Sequence, residues 1–384
     1  MPQIAKVAIV RCESYAYTNV REAVETGLNL LGGALHFVQK DEKILLKPNI
    51  LAGEAPEKCI GPHPMVFRAI AETFAEAGAQ LRFGDSPGFG SALGNARKAG
   101  FLDAVQSLDI LFADFDTAVM MENPDGKLIN RFEIAKGVAE SDGLVSISKM
   151  KTHALTRITG AIKNQFGCIP GPRKAEYHSV MPNAVQFSKM LVDLNLLLKP
   201  RIFIMDGIMA MEGNGPRNGD PVKMNCLLLS TDPVALDSTV CQMIDLDVQL
   251  VETVRIGEEY DLGTATDIQY LGDPIQSFVN KGFNVNRSPV PTSEDTSFLS
   301  AKFMRKYTAP RPTINAERCT RCGTCVQVCP AEPKALSWVD AMKNEPPEYD
   351  YSKCIRCYCC QELCPENAIY VKVPLLGKLI HLTM

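Results

Sequence analysis

Short apolar runs alternate with amphipathic stretches along the first two thirds of the chain. Val7-Ala-Ile-Val10 precedes a helical pattern over 19–31, Lys43-Ile-Leu-Leu46 one over 64–78, and Gln80-Leu-Arg-Phe83 one over 91–101. Brief apolar runs predict strands buried on both faces, and apolar positions three and four apart predict helices with one buried stripe. The rhythm continues with a strand at 143–147, helices near 157–166 and over 182–198, a strand at 201–205, and a helix over 232–244 with Asp232 at its start. Such repetition predicts an α/β fold with a mainly parallel sheet. Polar, Pro- and Ser-rich sequence over 286–311 then reads as a linker, dividing an N-terminal domain (1–285) from a short C-terminal one (312–384).

In sheets of this kind functional groups gather behind the carboxyl ends of the strands. The polar residues obey that rule: Lys47-Pro-Asn49, Gly84-Asp85-Ser-Pro-Gly88, Ser148-Lys149-Met-Lys151-Thr-His153, and Asp206-Gly207 followed by Glu212-Gly-Asn-Gly-Pro216. From Lys149 to His178 six Lys or Arg and two His face Glu176 alone. Such an excess focuses potential on an anion; a solvated basic loop is the plainer alternative. Lys47, Lys149, Lys151 and Lys163 are therefore candidates to hold substrate oxygens, with Asp85 in a Gly-rich turn and Asn49 and Asn164 to orient them. His153, His178 and Glu212 are the candidates for proton transfer. His63, between Pro62 and Pro64, reads equally as a helix cap or a catalyst. A metal held by His153 and His178 with Asp206 or Glu212 is chemically reasonable but lacks the spacing of a helical His pair.

The C-terminal domain twice repeats Cys-x-x-Cys-x-x-Cys-x-x-x-Cys-Pro, at Cys319, Cys322, Cys325, Cys329 and again at Cys354, Cys357, Cys360, Cys364. Asn315-Ala-Glu-Arg and Asp350-Tyr-Ser-Lys introduce the two runs, and Ala335-Leu-Ser and Ala368-Ile-Tyr follow them, so the module is an internal duplication. Paired zinc sites are the alternative, yet a zinc ribbon has no use for the third cysteine and the trailing proline. Over roughly 312–371 the stretch resembles the two-cluster bacterial ferredoxins. That resemblance implies a small α+β ferredoxin-like domain with two 4Fe-4S clusters, the fourth cysteine of each run serving the other cluster. On that rule one cluster takes Cys319, Cys322, Cys325 and Cys364, and the other takes Cys354, Cys357, Cys360 and Cys329. A redox partner protein is then expected, and the long middle segment over 338–348 reads as a surface hairpin or docking loop.

Composition narrows the classes. With 384 residues, 46% of them apolar, the chain has material for more than one core, and its net charge of -4 gives no sign of a nucleic-acid binder. No apolar stretch is long enough for a membrane span, and the N-terminus reads as a strand with no leader. Eight of fourteen cysteines lie in the repeated runs, which fits a reducing cytoplasm better than a disulfide-built secreted protein. Cys12, Cys59, Cys168, Cys226, Cys241 and Cys359 read as small buried packing residues.

Lys47-Pro-Asn49, Gly84-Asp-Ser-Pro-Gly88, Lys149-Met-Lys151-Thr-His153, Gly160-Ala-Ile-Lys163-Asn164-Gln-Phe-Gly167, Glu212-Gly-Asn-Gly-Pro216 and Asp232-Pro-Val-Ala-Leu-Asp237 together resemble the family of domain of unknown function 362. Members of that family often end in such a ferredoxin module. The resemblance implies an α/β domain distantly similar to the lactate racemase family, and no particular reaction. The expected function is an iron-sulfur oxidoreductase passing electrons between its clusters and an anionic substrate or cofactor in the α/β domain. A non-enzymatic carrier or adaptor, or a redox maturation factor, is the alternative, because no flavin or nicotinamide fingerprint is present to handle electron pairs.

Overall fold

Strand β1 (Ala5–Arg11) is buried at Val7 through Val10 because it lies between two neighbours inside a sheet, which is why its sequence is continuously apolar and does not alternate. The computed structural model describes residues 4–171, 173–181, 183–288 and 309–376. The chain divides into two compact units, Met1–Lys174 with Ser188–Val285, and Ala175–Phe187 with Asn286–Met384. The expected linker falls, over 289–308, outside the described residues, as does the end of the C-terminal tail over 377–384. Among the described residues no helix is long and apolar enough to cross a membrane.

The first unit is an α/β domain around a mainly parallel sheet. Its strands are β1, β2 (Lys43–Pro48), β3 (Gln80–Phe83), β4 (Ile110–Phe112), β7 (Gly143–His153), β8 (Arg157–Ile158), β9 (Ile202–Glu212), β10 (Asp220–Ser230) and β11 (Ile268–Gly272), while β5 (Ala118–Glu122) and β6 (Arg131–Ala135) form a separate hairpin. The order is β11-β1-β10-β9-β7-β2-β3-β4, with β8 folded back on β7. Of these strands, β10 and β8 run against the rest. Helices Tyr17–Leu30 and Pro64–Glu76 place Val20, Val24, Leu28 and Phe67, Ile70, Phe74 on one face of the sheet, against Ile44, Leu46, Val145, Ile147, Ile202 and Ile204. The three- and four-residue spacing of those side chains is the stripe that drives the packing.

Several expected boundaries move for physical reasons. The strand expected at 143–147 continues to His153, so Lys149, Lys151 and His153 are strand residues and not loop residues. The strand expected at 201–205 likewise runs to Glu212. No α-helix forms over 157–166, and only a 3-10 helix at Lys163–Cys168 covers its end: Arg157 and Gly160 adopt left-handed φ of 64° and 62°, and Asp237 takes the N–H groups of Ala161 and Ile162. A side chain at Gly160 would collide with that carboxylate. The helix expected over 91–101 ends at Lys98, and Gly100, with φ of 81°, starts a separate turn. Asp232 caps the helix Pro233–Met243 as the sequence predicts, accepting from the N–H groups of Val234 and Ala235.

The second unit is small and doubled. Strand β12 (Arg311–Ile314) leads into the first cysteine run and β13 (Leu336–Ser337) follows it; β14 (Glu348–Tyr349) leads into the second and β15 (Ile369–Lys372) follows it. Pairing crosses the halves: β12 joins β15 and β13 joins β14. Arg321 and Gly323 in one run, and Arg356 and Tyr358 in the other, occupy left-handed backbone at matching places. The unit also takes in Ala175–Phe187, where Ser179 Oγ donates to Pro330 O at 2.6 Å, beside Cys329. Nothing in the sequence assigns that piece to the cysteine module.

Candidate functional site

Lys47, Lys149 and Lys151 come from the carboxyl ends of β2 and β7 and are at most 2% exposed. An ammonium removed from water must be compensated where it sits, and each of these is.

Lys47 lies beside Ser146 in the β2–β7 register. Its Nζ is 2.7 Å from Asp85 Oδ1 and donates to Asn164 Oδ1 at 2.9 Å. Asn164 in turn donates to Ser146 Oγ at 2.9 Å, as does Gln165 at 2.7 Å. The other oxygen of Asp85 accepts from Ile50 N–H at 2.7 Å. Gly167 runs directly over this ion pair, and a Cβ there would overlap both Asp85 Oδ1 and Lys47 Nζ. Close approach, not turn geometry, is the demand for glycine.

Lys149 belongs to the opposite face. It is the register partner of Asp206 across β7 and β9, and the two continue the rows of Ile147 and Ile204 that face the core. Lys149 Nζ donates to Asp206 Oδ2 and to the Tyr15 hydroxyl, both at 2.9 Å. Tyr15 donates to Asp206 Oδ1 at 3.1 Å and accepts from Met209 N–H at 3.1 Å. Asp206 also accepts the N–H groups of His63 at 2.8 Å and Ile208 at 3.0 Å. Nearby, Lys151 donates to Asn49 Oδ1 at 2.7 Å and to Ile60 O at 2.5 Å.

His63 stacks on Tyr15 with centroids 3.8 Å apart. Its Nδ1 accepts from Met65 N–H at 3.2 Å and caps the helix Pro64–Glu76, so the neutral ring carries its proton on Nε2. Burial holds this imidazole below its ordinary pKa; Asp206 opposes the shift and Lys149 adds to it. Burial, with the charge of Asp206, also keeps the Tyr15 hydroxyl protonated. The half-buried His63 therefore offers a neutral N–H donor beside a charge-balanced network. Such a group can hydrogen-bond a carbonyl or carboxylate oxygen and follow a proton transfer.

The remaining candidates are dispersed. Lys163 is buried with its ammonium 5.9 Å from the Phe166 ring centroid. His153 Nδ1 accepts from the N–H groups of Leu155 and Thr156 and shapes the turn after β7. Glu212 accepts from Asn284 N–H at 2.7 Å, closing a long loop. His178 is buried in the second unit, stacked 4.5 Å from Phe187. The sequence also passed over Tyr15, which carries no motif, and gave Asp206 a place at a strand end and in a metal alternative but no partner. An acid directly following the apolar run Ile202-Phe-Ile-Met205 was the available signal, since an acid there demands a partner.

In the second unit two cavities face the cysteines. One is lined by Cys319, Cys322, Cys325 and Cys364 with Ile314 and Ile369. The other is lined by Cys329, Cys354, Cys357 and Cys360 with Leu336 and Tyr349. Each set of four thiols lines one cavity, and among the described residues no group of three His, Cys, Asp or Glu could hold a single metal ion. The six other cysteines are all buried.

The profile of a family described as Domain of unknown function (DUF362) matches residues 44–242, and that of a 4Fe-4S dicluster domain matches 311–365. Over 280 residues the chain is 35% identical to a thylakoid-associated protein of Synechocystis sp., covering 72% of this chain and 87% of that one. Among solved structures, the lactate racemase apoprotein from Thermoanaerobacterium thermosaccharolyticum aligns with a TM-score of 0.42 at 13% identity, covering 63% of this chain and 56% of that one.

Proposed function

This chain belongs to the family of Domain of unknown function (DUF362) with a 4Fe-4S dicluster domain behind it, and from that footing we propose an iron-sulfur oxidoreductase with two 4Fe-4S clusters. One cluster is held by Cys319, Cys322, Cys325 and Cys364, the other by Cys354, Cys357, Cys360 and Cys329. The observation that carries this reading is the pair of cavities, each lined by three cysteines of one run and the fourth of the other. A cubane takes one thiolate per iron around its corners, so thiols spread about a cavity suit it, whereas zinc needs them converged on one point. When bound, the clusters supply one-electron transfer.

The α/β unit is the place for the group that receives or gives those electrons, an anionic substrate or cofactor at the carboxyl edge of the sheet. His63 donates from Nε2 to an oxygen there, Asn49 orients it, and the Lys149–Asp206–Tyr15 network fixes the ring under His63. One observation favours the carrier or adaptor reading instead: the charges of Lys47 and Lys149 are already neutralised by Asp85 and Asp206. Protein purified without air separates the two. About eight irons per chain are expected under both, but a copurifying anion or cofactor found by mass spectrometry supports the oxidoreductase, and its absence supports the carrier. An iron content of about four or less overturns the two-cluster assignment. Fractionation decides between a cytoplasmic location and the thylakoid association named for the relative.

A further inference from the structure

We infer that Tyr349 makes the two clusters unequal and sets where an electron rests. The inference depends on the two-cluster reading above. The duplication supplies the comparison: Asn315 matches Asp350 and Cys319 matches Cys354, so Ile314 is the counterpart of Tyr349. Both stand at the ends of equivalent strands, and each lines its own cavity. They differ in chemistry. The Tyr349 hydroxyl donates to Cys360 Sγ at 3.2 Å; Ile314 has nothing to donate to Cys325, the matching third cysteine of the first run.

At the second cysteine the two halves are alike. Thr324 Oγ1 lies 3.4 Å from Cys322 Sγ, and its counterpart Cys359 hydrogen-bonds Cys357, so the second cysteine of each run has a side-chain neighbour. At the third cysteine, among the described residues, only the second run has one. The Tyr349 hydroxyl is held in place from two sides, because its ring stacks on Tyr351 with centroids 5.4 Å apart and its backbone pairs with Leu336.

Reduction adds one negative charge to a cluster and its thiolates. A hydroxyl aimed at a ligand sulfur stabilises the more negative state and raises the potential. An electron delivered to the cluster of Cys319, Cys322, Cys325 and Cys364 by a one-electron donor then passes to the cluster that includes Cys360. The first is reoxidised as the second is reduced, and no bond or proton moves. Tyr349 acts through Cys360 and touches no substrate.

The test is a redox titration of the full chain, prepared without air and reduced with dithionite, followed by electron paramagnetic resonance with iron analysis on the same sample. In Tyr349→Phe, which keeps the ring, one of the two reduction waves moves to more negative potential and the other stays. A tenfold change in the equilibrium between the clusters corresponds to about 59 mV for one electron. Tyr349→Ile, which copies the first half, gives the same shift and serves if the phenylalanine variant does not fold. If about eight irons are retained and neither wave moves in either variant, Tyr349 has no such role and the two-cluster reading stands. If the wild-type protein itself holds only about four, that reading fails, and this inference fails with it.

Discussion

Lys47 and Asp85 meet 2.7 Å apart with side chains 0% and 2% exposed, an ion pair at the sheet edge that water does not reach. In that setting the pair is costly to break one-sidedly, because the surviving charge has no solvent to return to. Lys47→Met is expected to lose about 3–5 kcal/mol of stability. Lys47→Met with Asp85→Asn removes both charges of the pair and keeps an oxygen for Ile50 N–H, so it recovers most of the loss. Chemical denaturation of the two variants checks this: a double variant no better than the single one shows that the pair is not what stabilises the edge.

Asp237 gives the α/β unit a measurable pH dependence. Burial, only partly opposed by the N–H groups of Ala161 and Ile162, pushes its carboxyl from 3.8 up to about 7. Between those values the folded state binds the proton that the unfolded state has released, so this group's contribution to stability falls as pH rises from about 4 to about 7. The slope approaches about 1.4 kcal/mol per pH unit. Asp237→Asn resembles the protonated carboxyl and removes that slope. Denaturation midpoints across the window are the measurement, and parallel curves for the two proteins reject the assignment.

What the sequence disclosed and what it concealed follow from one distinction. Features set by local chemistry were legible: the strand at Gln80–Phe83, the Asp232 cap and the β-α-β order all appear where the pattern puts them. Features created by pairing distant charges were not. Ser148, Lys149 and Lys151 read as loop because hydropathy counts a lysine as exposed, whereas Asp206, 57 residues on from Lys149, offsets the cost of burial and lets β7 continue. The same blindness merged Lys47 and Lys149 into one expected anion site, although strand alternation sends them to opposite faces. Tyr15, 191 residues from the acid it contacts, left no local trace at all.

The crossing of β12 to β15 and β13 to β14 brings each run's last cysteine to the other run's cavity. Cys364→Ala is therefore expected to damage the cluster of the first run, giving the same spectroscopic loss as Cys319→Ala, while Cys329→Ala resembles Cys354→Ala. Iron content and paramagnetic spectra of the four variants provide the check. Losses that group by run, with Cys364→Ala resembling Cys354→Ala, would mean that ligands are not exchanged.

His63 combines a structural duty with a chemical one, and substitution separates them. Its Nδ1 caps the helix Pro64–Glu76, and losing a cap costs about 0.5–2 kcal/mol. His63→Ala loses both cap and ring, whereas His63→Ser keeps an acceptor for the helix and loses the ring, with its stack on Tyr15 and its Nε2 donor. Because burial depresses the imidazole's pKa, the unfolded chain takes up the proton first, and wild-type stability falls as pH drops through about 6.5. His63→Ser flattens that fall, and at neutral pH its stability lies between that of the Ala variant and that of wild type. Should the ring also donate to a bound substrate, His63→Ser loses function in a complementation assay despite its intact fold, and the Ala variant fails in both stability and function. A serine variant that is both stable and functional reduces His63 to a cap and moves the search for the proton donor elsewhere on the sheet edge.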